Sequence, residues 1–185
     1  MNIFILSEDP VEAAQLQCDK HVVKMIVESA QMLSTAHRML DGYVEKRPSK
    51  SGKRMVNYWV HPDPHLENTL YKAVHHGHPC TVWTMQSSAN FMWHVIHFQA
   101  LLQEYTYRYG KVHKTDDLLT EALYQLPRNI PVGYLSPLPL AMGAAPECID
   151  YNDPVGSYRK FYQTKQKRFK MAWTKREIPE WFEVA

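Results

Sequence analysis

PVEAAQLQCDKHVVKMIVESAQMLSTAHRMLDG, residues 10–42, decides the fold class. Val22, Ile26, Ala30, Leu33 and Leu40 recur on one stripe at helical spacing, and Gln17, His21, Lys24, Glu28, Gln31 and Thr35 form the opposite stripe. Ser7, Asp9 and Pro10 supply a cap and a first-turn proline, and Gly42 a stop, so a helix is expected from Pro10 to about Leu40. Before it, the apolar run Asn2 to Leu6 reads as a strand or extended segment.

Beyond it, residues 43 to 65 read as a basic loop, EKRPSKSGKR, entering a proline-punctuated turn. A short helix is expected from Leu66 to Val74, a long one from Cys80 to Tyr109 with Gly110 as its stop, and a third from Asp116 to Leu126. Pro127 to Pro154 is rich in Pro and Gly and should run as a long irregular segment. Asp153 and Pro154 then cap a last helix reaching about Trp173. The expectation is an all-α fold, a single helical domain over residues 1–185 with a short N-terminal extended segment.

Hydrophobic residues make up 45% of the chain and charged residues 22%, a composition that excludes disorder. No apolar run is long enough to span a bilayer, and MNIFILSEDP lacks the basic and small-residue features of a signal peptide, so a cytoplasmic protein with no membrane partner is expected. Three scattered cysteines, Cys18, Cys80 and Cys148, are no disulfide framework. The net charge of +2 leaves the choice of partner to local patches.

Four constellations could carry chemistry. His21, Lys24 and Glu28 stand on successive turns of one helix face, where a carboxylate, an imidazole and an amine can meet for acid/base work. The solvated side of an amphipathic helix has the same spacing. Trp83, Ser87, Asn90, Trp93 and His94 could form an aromatic-walled pocket for a base, or the Trp rings could be core. Arg159, Lys160, Lys165, Lys167, Arg168, Lys170, Lys175 and Arg176 alternate with aromatic residues and no acidic ones. That pattern suits phosphates and unpaired bases, as it suits a solubilising face over buried rings. Lys46, Arg47, Lys50, Lys53 and Arg54 offer a second backbone contact. Finally, Cys18-x-x-His21 has ligand spacing, with His75, His76, His78, Cys80 or Cys148 to complete a tetrahedron, but no second closely spaced pair stands out. No metal and no other cofactor is expected.

The run from Asn2 to Glu28, the step His78-Pro79 leading to Trp83, and EYTYRYGK with Glu104, Arg108, Gly110 and Lys111 resemble the pyrimidine-dimer DNA glycosylase (endonuclease V) family of phages and bacteria. Asp19, His21 and a glutamate nine residues after the aspartate, Glu28, are the further matching positions. The resemblance implies a small helical protein that binds DNA, displaces a nucleotide and breaks the base-to-sugar bond. It implies an α-amine nucleophile assisted by Glu28. In chemical terms the amine replaces the departing base at C1′ as an imine, and the carboxylate stabilises positive charge developing on the sugar. Position 2 is Asn, before which Met is ordinarily kept, so the amine is that of Met1. Arg108, Lys111, Arg159, Lys165 and Arg168 would hold phosphates. A nucleotide-level N-glycosidase or base-exchange enzyme would use the same carboxylate on free nucleotides, and a non-catalytic nucleic-acid-binding protein would use only the basic surface.

Overall fold

A computed structural model describes residues 1–184. Among them are seven α-helices and one two-stranded sheet: α1 Pro10–Gln15, α2 Asp19–Asp41, β1 Tyr43–Pro48, β2 Met55–Val60, α3 Pro64–Thr69, α4 Pro79–Gln86, α5 Ser88–Tyr109, α6 Lys114–Leu123 and α7 Pro154–Gln163. The fold is mostly helical, and the small sheet corrects the all-α expectation. No helix is long and apolar enough to cross a membrane among the described residues.

The sheet lies where a loop was expected. Tyr43 pairs with Val60 and Pro48 with Met55 in an antiparallel hairpin. Val44, Val56, Tyr58, Trp59 and Val60 are β-branched or aromatic and favour a pleated strand, so the basic Ser/Gly stretch is only the tip. Gly52 takes the left-handed conformation there, with φ of 71°. Gly42 joins α2 to the hairpin, and a Cβ at that position would run into the carbonyl oxygens of Arg38 and Val60.

Two expected helices are each divided. The first breaks between Gln15 and Asp19 because tertiary donors take its terminal carbonyls: Arg108 Nη2 reaches Gln15 O at 2.9 Å and Trp173 Nε1 reaches Leu16 O at 2.9 Å. The second breaks at Ser87, which is extended (φ −154°, ψ 158°) and whose hydroxyl accepts the Asn90 N–H as a new N-cap. The remaining helical bounds also shift. α3 starts at Pro64 behind the Asp63 cap, α6 starts at Lys114 behind a His113 ring that accepts the Thr115 N–H, and α7 tightens into a 3-10 turn, Thr164–Lys167, well short of Trp173. From 127 to 153 the chain is irregular apart from a 3-10 turn at Pro146–Cys148.

α5 packs on α1, α2 and α4, and α2 is buried along far more than one stripe. Gln17, His21 and Thr35 of the supposedly solvated stripe are buried, Glu28 and Gln31 half-buried, and only Lys24 is exposed. The C-terminal half of α2 is enclosed by the hairpin and by α3 to α6. Arg38, 1% exposed, pairs with Glu67 and donates to the carbonyls of Trp59, Glu67, Leu70 and Tyr71, tying four segments together.

Replacing Arg38 with Ala strands Glu67 and those carbonyls. A loss of about 3–5 kcal/mol is expected from urea unfolding, and a loss below about 1 kcal/mol would mean that water satisfies the site. A second expectation concerns His94 and His97, both 0% exposed. Burial lowers His97 from 6.5 to about 4 and His94 further. The unfolded chain therefore binds protons that the folded one refuses below pH 6.5, and stability should fall as pH drops from 6.5 towards 4. Urea midpoints unchanged across that window would contradict it.

Candidate active site

Glu28 is the focus of a cleft at the N-terminal half of α2. Its Oε2 accepts the Asn2 backbone N–H at 2.8 Å and lies 3.7 Å from the α-amine of Met1, while Lys24 Nζ approaches Oε1 at 3.1 Å, one turn earlier on the helix. The approach of the chain start to α2 is fixed by Asn2. Its Oδ1 accepts the N–H groups of Ile3 and Phe4 at 2.8 and 2.9 Å, and its Nδ2 donates to Ala141 O at 2.8 Å. This turn holds Phe4 at φ 57°, a left-handed conformation uncommon for a bulky residue and often found at functional sites.

Phe4 stacks on His21 with ring centroids 4.6 Å apart. His21 Nδ1 lies 2.7 Å from the Tyr162 hydroxyl, which also accepts the Cys18 N–H at 2.9 Å. Burial raises the Tyr162 pKa well above 10, so the phenol keeps its proton, donates it to Nδ1 and leaves the ring N–H on Nε2. Burial, with Lys24 and Lys165 nearby, lowers His21 to about 3. The imidazole is neutral at physiological pH and cannot serve as a protonated acid there.

The cleft encloses about 420 Å³. Phe4, Phe161, Phe169 and Met142 give it apolar walls, and Lys20, Lys24, Lys165 and Arg168 give it a cationic rim around Met1 and Glu28. Lys165 is 8% exposed, makes no ion pair among the described residues, and rests its Nζ 3.3 Å from the centre of the Phe161 ring. Burial, reinforced by Arg168, lowers it to about 8. A buried ammonium with a π-face but no anion beside it favours an anionic ligand in the cleft.

Behind Met1 the first turn of α4 closes the site. Thr81 Oγ1 lies 3.9 Å from Met1 Sδ. His78, whose ring accepts the Cys80 N–H, is lowered by burial and by the Met1 ammonium while Glu28 opposes the shift, so it stands within electrostatic reach of both the amine and the carboxylate. The sequence offered His78 through the His-Pro step and as a candidate metal ligand, not as a neighbour of the amine and Glu28.

Several sequence-predicted contacts lie elsewhere. Trp83, Asn90 and Trp93 are interior: the indoles donate to Ser136 O and Glu8 O, and the Asn90 amide bridges Trp83 O and Ser136, so no base pocket forms between them. Arg108, 3% exposed, donates to Asp19 at 2.9 Å, Glu104 at 2.7 Å and the Gln15 carbonyl, and Arg176 clamps Glu104 from the other side. That guanidinium is committed inside the protein and is turned away from phosphates. Arg159 donates to Leu6 O at 3.0 Å and lies over Trp181. Lys50, Lys53 and Arg54 are exposed on the hairpin tip and Lys111 beyond α5, none of them lining the cleft. All three cysteines are free and buried, and among the described residues Cys18 with His21 gathers no further ligands.

No protein-family model, no curated protein and no solved structure matches the chain.

After reductive methylation with carbon-13, the Lys165 signal should titrate near pH 8, and inorganic phosphate should move that midpoint upward. A midpoint at the ordinary lysine value of about 10.4, insensitive to phosphate, would remove Lys165 as an anion-seeking group.

Proposed function

We propose that this protein is a DNA glycosylase that removes a damaged or modified base, with Glu28 as the catalytic carboxylate and the α-amine of Met1 as the nucleophile. One observation carries the reading: the amine and the carboxylate stand 3.7 Å apart in one cleft with aromatic walls and a cationic rim. The amine must lose a proton before it can attack C1′, and Glu28 is the base at hand. As the nitrogen–carbon bond forms, the base departs with the electrons of its glycosidic bond, and the carboxylate stabilises the positive charge on the sugar. Opening of the sugar ring yields an imine. Loss of a C2′ proton from that imine expels the 3′ phosphate, which is the lyase step.

Neutral His21 and Phe4, stacked on each other, line an apolar wall against which an extruded base would lie, and Lys20, Lys24, Lys165 and Arg168 suit its flanking phosphates. A cleft of about 420 Å³ with so local a cationic rim also suits a free nucleotide. An N-glycosidase acting on nucleotides is therefore the second reading, and the absence of salt-dependent DNA affinity would distinguish it.

Untagged protein should be incubated with single- and double-stranded oligonucleotides bearing a panel of lesions and modified bases, with and without borohydride. The expected result is base release, a reduced adduct mapped to Met1, and a loss of about 100-fold or more in Glu28→Gln at an unchanged urea midpoint. Release without an adduct would transfer the attack to an activated water. Silence with DNA bound would leave a binding protein, and silence without DNA binding would direct the search to free nucleotides.

A further inference from the structure

The C-terminal end of α2 carries a second cluster, distinct from the cleft. His37 and Asp41 are one turn apart on α2, and His61 follows β2 directly, so the hairpin folds its imidazole back onto the helix end. His37 is 2% and His61 5% exposed. One ligand atom from each of the three side chains lies within 4.8 Å of the others, and His61 Nε2 is 3.9 Å from Asp41 Oδ2. Neither nitrogen of His37 and not Nε2 of His61 makes a hydrogen bond. The Gln125 backbone offers the His37 ring a weak contact that leaves the other ring nitrogen unpartnered. Buried imidazole nitrogens without partners are costly, and one from each ring, brought together beside a carboxylate, calls for a common partner.

We propose that His37, Asp41 and His61 bind a divalent transition-metal ion, with zinc as the best fit. Two imidazole nitrogens and one carboxylate oxygen suit zinc and its first-row neighbours, whereas magnesium and calcium prefer all-oxygen sets. The backbone N–H groups of Arg128 and Asn129 already orient Asp41, at 2.8 and 2.9 Å, as outer partners of a ligating carboxylate do. A small cleft of about 280 Å³ lined by Asp41, His61, Arg128 and Asn129 opens onto the cluster. It gives the ion a way in and solvent for a fourth ligand.

Two adjustments accompany binding. Zinc bonds of about 2.0–2.1 Å set tetrahedral donors about 3.3 Å apart, so the three side chains draw together. His61 Nδ1 now accepts the Asp63 N–H at 3.1 Å, which leaves the ring proton on Nε2. Ligation through Nε2 moves that proton to Nδ1 and breaks the Asp63 contact.

The test uses untagged full-length protein, chelator-treated and dialysed, titrated with zinc by calorimetry and with cobalt by visible absorption. One equivalent of zinc should bind, tetrahedral cobalt bands should appear, and His61→Gln and His37→Gln should each weaken binding at least tenfold. Binding that survives both substitutions would place the ion on other histidines and overturn the assignment, as would no saturable binding by folded wild-type protein. Should the variants fail to fold, imidazole nitrogen-15 spectra of the wild type decide. Zinc should shift the His37 and His61 ring signals and exchange the His61 tautomer, and unmoved signals would overturn the proposal.

Discussion

A buried extended segment without a sheet partner obliges the rest of the protein to satisfy its backbone, and this constraint organises the structure. Ile3, Ile5 and Leu6 are fully buried, yet no strand pairs with them. Their polar groups therefore turn to side chains. Gln17 Nε2 donates to Ile3 O at 3.0 Å, Arg159 to Leu6 O, and Glu28 accepts the Asn2 N–H. The polar stripe of α2 is drawn inward by this demand. The same contacts bring the α-amine to Glu28, so the candidate chemistry is a consequence of how the first six residues are held.

A second network fixes the start of α2 against the end of α5. Asp19 accepts from Arg108 and from the Thr174 N–H and hydroxyl, while Glu104 is shared by Arg108 and Arg176. Three of the positions that carry the family resemblance, Asp19, Glu104 and Arg108, thus act as a brace in which each buried charge has an opposite partner. Glu28 and His78 are the resemblance positions that stand near the Met1 amine.

The sequence made the helices legible because their periodicity and caps are local properties. The break at Ser87 was also local, since a serine is an N-cap signal, but no Gly or Pro between Cys80 and Tyr109 punctuates the run. The break after Gln15 was not local: it depends on Arg108 and Trp173, which come from far along the chain. The hairpin was obscured by its own tip, whose Ser, Gly and basic residues outweighed the β-branched and aromatic flanks. His21, Lys24 and Glu28 were legible as one face, but periodicity cannot say whether a polar face meets water, core or a cleft. Trp83, Asn90 and Trp93 failed for the same reason. Lys165 and Arg168 were read as part of a continuous helical surface, whereas the chain leaves the helix near them, burying one and exposing the other.

Glu28 and His37 are nine residues apart on α2, a rise of about 14 Å along the axis, and different segments cover them. The cleft is closed by the N-terminal residues, the first turn of α4 and the chain around Lys165. The His37 cluster is closed by the hairpin and the Arg128–Asn129 turn. No side chain is shared, so an ion at the second site acts on the first only through the helix itself. An ion at the proposed site would act as a clasp between α2, the hairpin and the long irregular segment, giving a partner to one nitrogen of His37 and to Nε2 of His61. The proposed glycosidic chemistry, by contrast, depends on an amine and a carboxylate that such a clasp does not touch, and each proposal stands or falls without the other.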